Sequence, residues 1–153
     1  MAVKRSSDEP EPIEVYILKV SFRDHPEIFR TIKTASDNTL VELHEAIQDS
    51  LGWANDHMYA FYMSGRPGDQ DTEYYPDYPE ADWPAHPGKD AKVVLVGSQA
   101  LGLRKGSKFL YFFDFGDSHC FDVDVQDIIA DDPLSRKDLP KVIERKGRSP
   151  KQY

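Results

Sequence analysis

At 153 residues, with 39% hydrophobic and 30% charged side chains, the chain has the size and balance of one soluble globular domain with polar extensions. Its single cysteine, Cys120, excludes an internal disulfide and a multi-cysteine metal site, and the absence of any long apolar run excludes a helical membrane span. The net charge of −8 is uneven: residues 136–153 hold seven Lys/Arg against Asp138 and Glu144, net +5, so the rest carries −13. Such a body repels nucleic acid.

Residues 1–12, MAVKRSSDEPEP, lack the apolar core of a signal peptide and read as a disordered lead-in. Residues 13–145 read as a single α+β domain. Its first strand is expected over residues 13–22, rich in Val, Ile and Tyr. Arg23-Asp24-His25-Pro26 is a turn, and residues 27–34 return as a second strand, making a hairpin. Arg30 stands between Ile28 and Ile32. It is either an arginine snorkelling at the sheet margin or the partner of an acid such as Asp114.

The helix signals come next. Thr39-Leu40-Val41-Glu42 fits a capping box, Leu40, Leu43, Ile47 and Leu51 recur at helical spacing, and Gly52 supplies the stop. His44 falls on the apolar side of this helix, either as a hydrogen-bonded histidine at the core margin or as a ligand. Residues 53–57 form a polar connector, with Trp53 packing under the helix end, and residues 58–63 form a third strand.

Residues 64–90 break the pattern. They hold five prolines, three glycines and seven acids, with only Arg66 and Lys89 as bases, yet carry Tyr74, Tyr75, Tyr78 and Trp83. That composition predicts an acidic, Pro/Tyr-rich flap laid on the sheet, or alternatively a partner-recognition loop. Residues 91–96 are expected to rejoin the sheet, and residues 98–103 to form a short helical turn capped by Ser98.

Residues 108–125, KFLYFFDFGDSHCFDVDV, organise the rest. Phe109 to Phe113 is an unbroken apolar run, which suits a strand covered on both faces. Phe121, Val123 and Val125 then alternate with Asp122, Asp124 and Gln126, which suits a strand covered on one face. The turn between them gathers Asp114, Asp117 and His119 at one end of the sheet. The strand over Phe109 to Phe113 is expected at the sheet's centre. After Val125 come a loop through Pro133, a short helical turn from Ser135, and an edge strand over residues 141–144. The basic tail, residues 146–153, reads as disordered. It folds back, stays solvated or, less favoured, binds DNA.

Asp114-Phe115-Gly116 spells a kinase metal-binding motif, but the chain lacks the glycine-rich loop, strand lysine and catalytic loop that a kinase needs. A phosphate loop, a His-Glu-x-x-His helix and a nucleophile elbow are also missing. One constellation remains: His44, His57 and His119 with Asp56, Asp114 and Asp117. His44 or His57 beside the Asp114–His119 turn would make a polar cleft under the flap, with Arg30 as a further candidate. His44, His57 and His119 are the candidate metal ligands, although their spacing is not a local ligand motif.

Several segments in order resemble the plasmid open-reading-frame-three-like family, named from a root-inducing plasmid and also labelled as a transposon passenger TnpR-like group. They are Tyr16-Ile17-Leu18-Lys19-Val20, His25-Pro26-Glu27-Ile28-Phe29-Arg30, Leu40 with Leu43-His44-Glu45-Ala46-Ile47, Gly52-Trp53 with Asp56-His57, Tyr111 with Asp114-Phe115-Gly116-Asp117, and Pro140-Lys141-Val142-Ile143-Glu144. The family often has Trp where Phe29 and His119 stand here. The resemblance implies an α+β domain with a sheet and one main helix, and the hairpins and the 64–90 stretch make that sheet mostly antiparallel with a long irregular insertion. It implies no established biochemical activity, and the transposon label reflects genetic context rather than recombinase chemistry. The chain is thus expected to be a cytoplasmic interaction or ligand-binding module for a protein or small molecule, with no cofactor. The alternatives are a mobile-element accessory protein contacting nucleic acid and a metal-assisted hydrolase using the His/Asp cluster.

Overall fold

The computed structural model describes residues 13–76, 89–131 and 138–152. The lead-in, the flap aromatics Tyr78 and Trp83, and the turn expected from Ser135 lie outside them. One antiparallel sheet of seven strands dominates, in the order β4-β3-β5-β6-β1-β2-β7. In chain order these are β1 (Ile13–Phe22), β2 (His25–Ala35), β3 (Tyr59–Tyr62), β4 (Glu73–Tyr74), β5 (Lys108–Phe113), β6 (His119–Asp131) and β7 (Lys141–Lys146). Among the described residues a single α-helix, α1 (Leu40–Leu51), packs on one face. Among the described residues no helix is long and apolar enough to cross a membrane.

α1 forms where its end signals place it. The Glu42 amide donates to the Thr39 hydroxyl at 3.1 Å, and the Thr39 amide donates to the Glu42 carboxylate at 2.9 Å. Gly52 closes the helix in the left-handed region at φ 69°. Leu40, Leu43, Ile47 and Leu51 join Leu18, Val20, Phe61, Phe109, Tyr111 and Val123 in the main core.

The hairpin turn is tighter than expected: β2 begins at His25, so Arg23 and Asp24 alone make the bend. β6 continues six residues past Val125, because a bulge hides its continuation. Ile17 pairs with Asp127 and Leu18 with Val125, which leaves Gln126 as an extra residue and breaks the alternation. A second bulge, between Thr31 and Ile32, leaves Ile143 of β7 unpaired and half exposed. β6, not β5, is the middle strand of the seven. The double cover of β5 comes from α1 on one side and from Tyr75 with its neighbours on the other.

Residues 91–96 do not rejoin the sheet. Their carbonyls serve the free end of α1 instead: the Leu40 amide donates to Val94 and the Val41 amide to Ala91. Ala91, Val94 and Val96 are buried in the main core, while Val93 and Leu95 are exposed. Close approach requires the glycine at position 97, where a Cβ would stand 2.7 Å from that of Ser36. The next turn forms as expected, with the Ala100 amide donating to the Ser98 hydroxyl at 3.1 Å.

The C-terminal segment is held against the body, where a disordered tail was expected. The Trp53 indole donates to the Pro150 carbonyl at 3.0 Å, and the Ala54 amide donates to the Gln152 side chain at 2.9 Å.

Candidate functional site

The residues that the sequence grouped together divide into separate environments. His44 is locked inside the helix side of the sheet, 3% exposed. Its ring stacks on Tyr59 with centroids 3.5 Å apart. Its Nδ1 lies 2.6 Å from the Tyr111 hydroxyl and its Nε2 lies 2.6 Å from Asn55 Oδ1. Tyr111 receives an N–H from Gln48 at 2.9 Å. With one proton to give, Tyr111 donates to Nδ1, so the neutral ring donates through Nε2 to Asn55. Burial lowers the His44 pKa to about 4, partly opposed by the Asn55 hydrogen bond. His44 is therefore a neutral core histidine, with its ring nitrogens bonded to Tyr111 and Asn55 rather than to the Asp114 turn.

Arg30 is buried, and is neither a snorkelling residue nor the partner of Asp114. Its guanidinium sits at the C-terminal end of α1, where Nε donates to the Ser50 carbonyl at 3.2 Å. Nη1 donates to the Phe29 and Lys146 carbonyls, and Nη2 to the Ser149 hydroxyl. Arg145 donates to the same Ser50 carbonyl at 3.0 Å. Two guanidiniums thus meet the negative end of the helix dipole, whose last turn has no basic residue of its own. Burial first, then the charge of Arg145, lowers the Arg30 pKa.

His57 does reach the turn. Its Nε2 lies 3.5 Å from Asp114 Oδ2 and 3.4 Å from Asp56 Oδ1. Asp114 is buried and adopts a left-handed backbone at φ 65°. Its Oδ1 accepts the Gly116 amide at 3.0 Å and the Asp117 amide at 3.2 Å, so its carboxylate shapes the turn. His119 Nε2 donates to the Gln152 carbonyl at 2.9 Å, and its ring lies 4.7 Å from that of Trp53. Gln152 also donates to Asp56 at 2.9 Å. Ligand atoms of Asp114, Asp117 and His119 lie within 4.8 Å of one another, so this trio could hold a divalent cation. The three histidines do not converge.

Consecutive residues of β6 face opposite sides of the sheet. His119 faces Trp53 and the helix side, whereas Cys120 faces Phe112 and Phe115. Of the described aromatics in the 64–90 stretch, Tyr74 joins the main core and Tyr75 covers that second side. Tyr75 buries itself there with Ala60, Tyr62 and Leu110. The His57–Asp114 pair therefore does not lie beneath the described flap residues. A cleft of about 490 Å³ opens on the second side instead, walled by Tyr62, Phe112 and Phe115. Pro67 and Gly68 form its rim, and Glu73, Ser118 and Cys120 supply polar groups. Sequence reasoning did not single out these cleft residues. The available signal was the unbroken run Phe109 to Phe113, whose even-numbered members needed a second cover. Burial raises the pKa of the Cys120 thiol, against the opposing charge of Arg23.

The model of the plasmid pRiA4b ORF-3-like family matches residues 14–152. An uncharacterised protein, y4hQ, of Sinorhizobium fredii (strain NBRC 101917 / NGR234) is 28% identical over 136 residues, which are 87% of this chain. The match spans 62% of that relative's length. A crystal structure of a protein of unknown function, MM3350, from Methanosarcina mazei Go1 superposes with a TM-score of 0.67 at 22% identity. The superposition covers 90% of this chain and 71% of that one, and it shows a shared fold. By the family match over nearly its whole length, the chain belongs to the plasmid pRiA4b ORF-3-like family.

Proposed function

We propose that this chain is a ligand-binding module, whose ligand enters the cleft between residues 62–75 and the second face of the sheet. The observation that carries this reading is the cleft itself, about 490 Å³ with three aromatic side chains on its walls and a few polar groups among them. That size and lining suit a small molecule. A cytoplasmic location is part of this reading, and a lone thiol such as Cys120 is compatible with it, since thiols stay reduced there. The C-terminal bases support a partner other than nucleic acid, because Arg145 is engaged with Ser50 and the Lys146 ammonium lies over the Phe29 ring. The test is a fragment screen by amide-shift NMR on the full chain. Hits should move the signals of Gly68, Phe112 and Phe115. Hits that move only residues 53–57 and His119 would overturn the assignment.

A second reading has its own support. The convergence of Asp114, Asp117 and His119 suits a divalent ion, with His57 beside Asp114 as a base for metal-bound water. Stoichiometric zinc or manganese retained by the parent and lost in Asp117→Asn would favour it. Equal metal content in the two proteins would count against it.

A further inference from the structure

We infer that the ligand of this cleft is a small protonated amine on an apolar or aromatic body, with Glu73 receiving the ammonium. This rests on the cleft reading and adds the chemical class. Tyr62 and Glu73 are register partners on β3 and β4, which places both side chains on the cleft side. The Tyr62 hydroxyl donates to Glu73 Oε2 at 2.7 Å. Burial, then the Glu73 hydrogen bond, raises the Tyr62 pKa, so the phenol remains a donor. Glu73 is 6% exposed, yet among the described residues its other oxygen, Oε1, takes no hydrogen bond.

Among the described residues Gln48 Oε1 is the side-chain atom sealed from solvent without a partner, so Glu73 Oε1 still reaches solvent through the cleft, where a cationic head group can meet it. The neighbouring cations are committed elsewhere. Arg23 is held by Asp122 and the Gly65 carbonyl, and Arg66 by Asp69. The Lys89 ammonium donates to the Gln70 and Asp71 carbonyls. The cleft thus presents an acid that no cation among the described residues pairs.

The walls suit the same ligand. Phe112 lies 5.3 Å from Phe115 at 59° and 6.0 Å from Tyr62 at 84°. Tyr62, Phe112 and Phe115 line the cleft, so the apolar or aromatic body of a ligand meets ring surface there. The charge of −13 outside the C-terminal segment draws cations toward the body and repels anions.

The test uses calorimetric titration of the full chain at neutral pH with phenethylammonium, phenethyl alcohol and hydrocinnamate. These match in body and differ in head-group charge. Phenethylammonium should bind about tenfold or more tightly than the alcohol, and hydrocinnamate least tightly. Glu73→Gln, which keeps an acceptor for Tyr62, should bring the ammonium to the alcohol's affinity and leave the alcohol unchanged. Amide shifts of the parent with each probe test the site independently of that variant's folding. Equal binding of ammonium and alcohol at the cleft would overturn the amine assignment and leave the cleft reading intact. Absence of binding and of cleft shifts for all three probes would overturn both.

Discussion

β5 builds two environments from alternate residues. Phe109, Tyr111 and Phe113 face α1 and are fully buried in the main core. Leu110 and Phe112 face residues 62–75, where Phe112 is only partly buried at the cleft. On the second face Tyr75 and the turn around Pro67 and Gly68 leave the cleft open, whereas a twelve-residue helix closes the first. One strand thus carries a sealed core on one face and an accessible cavity on the other, the difference lying in what covers each side. Apolar sequence alone does not separate those outcomes.

The sharpest way to break this comparison is a pair of truncations. Phe113→Ala should cost about 3–5 kcal/mol, since the cavity it leaves is enclosed. Phe112→Ala should cost about 1–2 kcal/mol, because its site already opens to solvent. Equal denaturation midpoints for the two variants would remove the distinction between the faces.

The helix side should also show an acid dependence. The unfolded chain protonates His44 near its ordinary value of 6.5, whereas the folded chain resists until about 4. Stability is therefore full above about pH 6.5 and falls as pH drops toward 4, by up to about 3 kcal/mol. In His44→Gln that part of the pH slope should vanish, while ligand binding at the cleft persists. Urea titrations of both proteins between pH 7 and about 4 measure it, and parallel curves would contradict the buried, neutral assignment.

Arg30→Met should cost about 2 kcal/mol, because the carbonyls of Ser50 and Lys146 lose a buried donor. It should also loosen residues 147–152, read as faster hydrogen exchange at the Trp53 end with the cleft amides unaffected. Smallest of all, Thr39→Ala should cost about 1 kcal/mol through the lost cap. A larger penalty would mean that the 91–96 segment depends on that cap as well, since it shares the same helix end.

Much of the fold was legible in local patterns. The capping box and leucine spacing marked α1, and the alternation of Phe121, Val123 and Val125 marked the face that joins the core. These features are local because a period and a cap concern residues three or four apart. The proximity of His57 to Asp114 also followed, since the short connector and the turn meet where β3 pairs with β5.

What only the tertiary structure decided is where the polar groups find partners. Arg30 meets Lys146 and Ser149, His44 meets Tyr111, and Arg23 meets Asp122. Residues 91–96 carry a strand's composition, yet they answer the amides of a helix end. Tyr75 covers the face opposite His44 while Tyr74 joins the main core, which depends on the course the chain takes after β3. Hydrophobic periodicity states that a residue is buried, but a hydrogen bond or a cleft needs two distant segments with matching groups at one point. That match is a property of the folded chain, because no local spacing encodes it.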